Sequence, residues 1–262
     1  MALDKKTLDL IRESRTWNEK DMGIQPTESE EEKDLENKEK AEKESDPKSP
    51  KKRNGCVEQR NEAGVLMQRV YYRDDKRNGS AEIYVKGKLA QKSYFLDDVL
   101  EGQVEMFDAN EEKTADLSYV QGKKHGPVIF YKAGLVMIEN HYKEDLLDGP
   151  AVSYYPCSTQ KNMTAHYKDG LLEGTMTTYT DTGKKARVME YSKGKRQGAS
   201  VMYYPTGEVF EESMFSEDQP CGVTVQYYQN GSKKYERFFD HTSKVTKEVL
   251  YDHLGNPITQ KA

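Results

Sequence analysis

No stretch of this chain is apolar for long enough to cross a membrane as a helix, which takes about 20 residues. The longest apolar pieces are fragments such as Val128-Ile129-Phe130-Tyr131. Cysteine is scarce: Cys56, Cys157 and Cys221 lie too far apart for a zinc pattern or a disulfide framework, and they fit a reducing compartment. Positive charge is not in excess, with 40 Lys+Arg against 45 Asp+Glu and a net charge of -5. That argues against a protein built to coat nucleic acid, whose binding rests on surplus cations. The stretch from Met1 to Gln25 holds charges throughout and no apolar core, so a secretory signal is not expected. The expected location is cytoplasmic, with export by a route that needs no such signal as the alternative.

Tyrosine and phenylalanine are missing from the first part, and glycine nearly so. All 18 tyrosines and all 7 phenylalanines lie beyond residue 70, and every glycine except Gly23 lies at or after Gly55. Between Thr27 and Arg53 most positions are charged, and Leu35 and Ala41 are the only apolar ones. Such a segment cannot bury enough surface to offset a chain entropy of about 1–2 kcal/mol per residue. Residues 1–53 are therefore expected to be a mostly disordered tail. Within it Leu3, Leu10 and Trp17 are spaced by seven with Ile11 alongside, so a short amphipathic helix is expected over 4–16.

From residue 54 onward one unit repeats. A glycine recurs at positions 55, 79, 102, 126, 149, 174, 198 and 222, at nearly even intervals. Asp or Gly stands four residues before seven of these, and an aromatic five residues after them, as at Tyr84, Tyr131 and Tyr203. A second glycine follows, and eight residues beyond it another aromatic, as in Gly207 and Phe215. In the copy starting at Gly198, Val201 and Tyr203 alternate as a half-buried strand requires. Pro205-Thr206-Gly207 turns the chain, and Glu208 to Phe215 runs back. Gln219-Pro-Cys-Gly222 is expected to turn into the next copy. The anchoring glycine is expected to relax the strand start and leave room for an aromatic ring. A lone hairpin is marginal in water, so the copies should stack edge to edge. The expected fold is all-β: an elongated solenoid or sheet of about eight stacked antiparallel hairpins over 54–262, roughly 75 Å long. Arg60 replaces the first aromatic in copy one. A final partial copy lacks its glycine at Thr246, though Tyr251 and Gly255 keep the phase.

The unit Gly122-Lys-Lys-His-Gly126…Phe130-Tyr131…Gly134…Tyr142 resembles the MORN repeat. With its Tyr-Tyr-x-x-Gly core, best seen at Tyr203-Tyr204…Gly207 and Tyr227-Tyr228…Gly231, it is similar to the variant form common in bacterial proteins, some of them labelled antitoxin-like. The resemblance covers residues 54 to about 256. It implies a β-hairpin solenoid used for binding, since such repeats usually serve as scaffolding, membrane-proximal or dimerising segments. No enzymatic module carries over, because only a seven-residue tail is expected after the repeats.

Catalytic, metal-binding and cofactor residues are expected to be none. His125 occupies a slot filled elsewhere by Asn78, Glu101 or Gln197, and no two histidines have ligand spacing. Pieces such as Lys193-Gly194-Lys195-Arg196 suggest phosphate loops but lead into no helix. The turns alternate in sign, basic at Lys76-Arg77, acidic at Asp97-Asp98 and basic at Lys123-Lys124, which suits solubility more than lipid or nucleic acid. The repeat-defining tyrosines are expected in the core. The doublet tyrosines Tyr155, Tyr204 and Tyr228 are expected on the opposite face, as a protein-binding file unless another element covers them. The expected function is a non-enzymatic scaffold or adaptor for a protein partner. The alternatives are an antitoxin-like inhibitor or exported effector that sequesters one partner, and a module that contacts anionic lipid at a membrane surface.

Overall fold

The computed structural model describes residues 52–261. Apart from Lys52 and Arg53, the expected tail over 1–53 and its helix over 4–16 lie outside the described residues. Among the described residues all regular structure is strand, in two units divided after Gly134. The first holds β1 (Gly55–Arg60), β2 (Leu66–Arg73), β3 (Lys76–Val85), β4 (Lys88–Leu96), β5 (Val99–Leu100), β6 (Gly102–Phe107), β7 (Lys113–Val120) and β8 (Lys123–Lys132). The second holds β9 (Leu135–Lys143), β10 (Leu146–Tyr154), β11 (Lys161–Lys168), β12 (Leu171–Leu172), β13 (Gly174–Tyr179) and β14 (Lys185–Ser192). It continues with β15 (Lys195–Tyr203), β16 (Val209–Ser216), β17 (Gln219–Tyr227), β18 (Lys233–Phe239), β19 (Val245–Tyr251) and β20 (Pro257–Lys261).

Pairing within each unit is antiparallel and follows chain order. The expected stacked hairpins are therefore present. Among the described residues no pairing joins the first and last strand of a unit, so neither sheet closes. The partial last copy forms a hairpin of its own, β19 with β20, which takes up most of the expected seven-residue tail.

Gly55, Gly102 and Gly174 begin their strands as expected, but the other anchoring glycines sit inside theirs. β15 begins three residues before Gly198, and β3 three before Gly79. Within a hairpin, Gly79 lies opposite Phe95 and Gly198 opposite Phe215, as the expected aromatic neighbour requires. Toward the preceding hairpin the ladder slips: Val70 faces Ala81 but Tyr72 faces Arg77. Gly79 lies in that bulge with φ +112°, and a Cβ there would come within 3.1 Å of the Tyr71 Cβ. The close neighbour is thus the start of a side chain on the previous copy, and no side chain with a Cβ would sit there without strain.

The turn between copies also differs from expectation. It is a two-residue turn with both residues at positive φ, such as Asp97-Asp98 and Glu217-Asp218. Gln219 to Gly222 belongs to β17. Such turns match the twist of the flanking strands, and Asp tolerates them better than most residues.

Each sheet most deeply buries the row of small and apolar residues at the second position after the glycine and its cross-strand partners. In the first unit the row runs Val70, Ala81 and Ser93, with Val104 opposite Leu117 and Leu117 opposite Val128. In the second, Ala151 faces Ala165, and Met189 faces Ser200, which faces Ser213. Phe95, Leu100 and Met106 complete the first unit's cluster. The repeat-defining tyrosines are not among the buried residues. Tyr84, Tyr154, Tyr203 and Tyr227 are half-buried, because they lie over the other face of a single sheet layer.

Candidate functional site

Tyr155, Tyr204 and Tyr228 leave the ladder just after a bulge at Tyr154, Tyr203 or Tyr227 and enter the hairpin loop. All three are half-buried. Their hydroxyls donate to the backbone carbonyl of the repeat tyrosine one copy on: Tyr155 to Tyr179 at 2.7 Å, Tyr204 to Tyr227 at 2.8 Å and Tyr228 to Tyr251 at 2.9 Å. Tyr204 packs edge-on against Phe210 at 5.2 Å, and Tyr228 lies 4.1 Å from the His253 ring. Each ring is thus a tie between neighbouring copies with part of its surface still open.

The repeat tyrosines form a second series. Their hydroxyls reach a cross-strand row that begins at the third position after the glycine. Tyr131 donates to Asp116 at 2.8 Å, Tyr227 to Glu212 at 2.8 Å and Tyr251 to Glu236 at 2.5 Å, while Tyr84 donates to Glu82 of its own strand at 2.6 Å. In the first unit the row alternates in sign over most of its length: Glu58, Arg69, Glu82, Lys92, Glu105 and then Asp116 stand opposite one another strand by strand. Arg69 bridges Glu58 at 3.0 Å and Glu82 at 3.2 Å, and Lys113 joins Glu105 to Asp116. In the second unit the same row is mostly β-branched, with Thr177, Val188, Val201 and Val225 around Glu212 and Glu236. The alternation of the charged row was readable in the spacing, three residues after each glycine and three before each second-strand aromatic, but only with the register in hand.

Burial and the bond to Glu82 push the Tyr84 phenol up to about 12, and burial with the bond to Glu212 does the same at Tyr227, also to about 12. Glu236 is only 8% exposed. Burial pushes its carboxyl up, but the Lys233 ammonium at 2.5 Å and the Tyr251 hydroxyl outweigh that and hold it below the ordinary range.

The turn edge carries a third series. Arg53 pairs with Asp75, Arg77 with Asp98 and Arg196 with Asp218, each from two residues before a glycine to four residues before the next. The same Arg backbone amides donate to those carboxylates at 2.9, 2.6 and 2.9 Å. The guanidiniums also cover Tyr72, Phe95 and Phe215 at 4.3 to 4.5 Å. Where the first member is Leu, the second is Gly: the Gly122 amide donates to the Leu100 carbonyl, Gly170 to Leu147 and Gly194 to Leu172. The alternating turn charges are therefore matched pairs.

Histidines and cysteines do not converge. Cys56 and Cys157 are exposed, and among the described residues no three His, Cys, Asp or Glu side chains gather as a metal cage. No helix there is long and apolar enough to cross a membrane.

Residues 220–241 match the MORN repeat variant family. That segment runs from the edge of β17 through β18, one full copy of the unit. The match supports the repeat and not the antitoxin-like label. No curated protein matches the chain. Over 79% of its length the chain is similar to a chain in "Crystal Structure of TcdB2-TccC3-Cdc42", at 12% identity and a TM-score of 0.19. It spans 14% of that chain, and a likeness so slight carries no argument. The match covers a single copy of a unit whose glycine spacing and hairpin register recur through the described residues.

Proposed function

We propose that the chain is a non-enzymatic scaffold or adaptor that binds a protein partner in a reducing, cytoplasmic setting. The observation that carries this reading is the file of half-buried tyrosines at one per copy. Tyr154, Tyr179, Tyr203 and Tyr227 recur on the second unit, joined by Tyr155, Tyr204 and Tyr228 at the loops. Rings that are already held in place lose little entropy on binding, and tyrosine is enriched at interface centres. At three junctions of the turn edge the guanidinium is opposed by a carboxylate, which favours a protein partner over anionic lipid or nucleic acid. Affinity capture with the full chain tests the reading. A specific protein should be retained by the parent chain and lost from a Tyr155→Ser, Tyr204→Ser, Tyr228→Ser variant that keeps its β-type circular dichroism. Equal capture by that variant would move the binding surface elsewhere, and no specific capture by the parent would sink the scaffold reading.

A further inference from the structure

We propose that residues 3–17 dock as a helix on the turn edge of the chain's own first unit, over Leu96, Val99 and Val120. These side chains keep 38%, 44% and 42% of their surface exposed. Leu96 and Val99 are cross-strand partners flanking the Asp97-Asp98 turn. Val120 holds the place of Leu96 one copy later, opposite Lys123. At the preceding turn the same two places are taken by Arg73 and Lys76, so within the first unit the apolar surface is confined to these two turns, while Leu146 and Leu171 take the Val99 place on the second unit.

Its spacing selects the occupant. Equivalent places on successive copies are two strands apart, about 9.4–9.8 Å. Leu3, Leu10 and Trp17 recur every seven residues, and seven residues of helix rise about 10.5 Å. One helical stripe can therefore meet two or three successive turns in phase. The rest of the tail offers no rival stripe, since Met22, Ile24, Leu35 and Ala41 are its only apolar residues beyond Trp17 and they do not recur at helical spacing.

The connection has the right length. The described chain begins at Lys52, whose ammonium meets Asp74 at 3.3 Å on this same edge, one turn before Asp97-Asp98. The patch is thus about 10–20 Å from the point of entry. The connector, residues 18–51, has a root-mean-square span of roughly 30 Å if it behaves as a coil. A connector that modestly exceeds the distance keeps the local concentration of the helix high without straining it.

Trp17 is the single tryptophan, so its fluorescence reports docking without a label. In the full chain its emission should be blue-shifted and its acrylamide quenching several-fold weaker than in the same chain unfolded in urea. Val99→Asp with Val120→Asp should return both signals to the unfolded values while the β-type circular dichroism stays. Leu10→Asp, which leaves the sheet untouched, should do the same. Full exposure of Trp17 in the parent chain would overturn the proposal. So would protection that persists in the folded Val99→Asp, Val120→Asp chain, or protection in the Leu10→Asp chain equal to the parent's. Protection that fades on dilution would assign the surface to a second copy, and protection that appears only on adding another protein would assign it to that partner; either result rejects docking within one chain.

Discussion

Tyr155, Tyr204 and Tyr228 each combine a half-open ring with a hydroxyl spent on the next copy's backbone. Changing all three to phenylalanine keeps the rings and removes only these bonds. Each loss should cost about 1 kcal/mol, read as a lower urea midpoint for the triple variant; an unchanged midpoint would show that the ties are idle. The repeat tyrosines make stability sensitive to alkali. Tyr84 and Tyr227 titrate near 12 when folded, above an ordinary phenol at about 10. Their contribution is complete below pH of about 10 and is lost as pH rises through the folded value. Tyrosinate absorbance and circular dichroism followed together should change in that window. Glu236 works in the other direction: its carboxyl is held below 4.5, so its contribution is present above that value and lost as pH falls through the folded one. Glu236→Gln should flatten that part of the acid unfolding curve. Sequence spacing singled out both tyrosine series but assigned the repeat series to the core. Counting by two places Val201 and Tyr203 on one face of β15, but it does not say which face of a single layer is the more deeply buried, and that face is the one of Ser200.

At the scale of the hairpin, the decisive contact is between turns. Asp98 sits at φ 72°, a strained conformation made tolerable by the Arg77 amide at 2.6 Å and the guanidinium beside it. Arg77→Leu alone keeps the backbone amide but removes the guanidinium from that strained carboxylate, and should destabilise. Adding Asp98→Gly recreates the Leu100–Gly122 type of junction and should recover most of the loss. A double-mutant cycle should give a coupling of about 1 kcal/mol, and additive effects would mean that the two residues act separately. Gly79→Ala should be costlier than Gly102→Ala, because a Cβ at Gly79 would lie 3.1 Å from the Tyr71 Cβ whereas at Gly102 nothing lies within 4 Å. Thermal unfolding of the two variants compares them directly. The alternating sign of the turns was visible in the sequence; that Arg77 answers Asp98, and not its own Asp75, required the strand register.

For the whole chain, the repeat period was enough to specify an all-β stack, because each hairpin satisfies its backbone only through the hairpins beside it. The weak last copy was harder to see. Its glycine is replaced by Thr246, yet β19 still pairs with β18 and β20 through backbone groups that any residue supplies. Removing residues 1–51 should leave this ladder in place. The truncated chain should keep its β-type circular dichroism and cooperative unfolding, and losing either would mean that the removed segment belongs to the folding unit.

The paired turns also restrict how the number of copies can change over evolutionary time. Deleting one copy brings the junction residue of the copy before it against the turn that followed the lost one. Loss of the copy anchored at Gly79 would bring Arg53 to Asp98, and loss of the one at Gly174 would bring Leu147 to Gly194, so both junctions would remain of a type already present. Loss of the copy at Gly102 would instead set Arg77 against Gly122, with no carboxylate to receive it. Tandem duplication obeys the same rule. Lengthening and shortening of this protein should therefore be tolerated at the copies flanked by like junctions and selected against at the others, so the array carries its own grammar for growth.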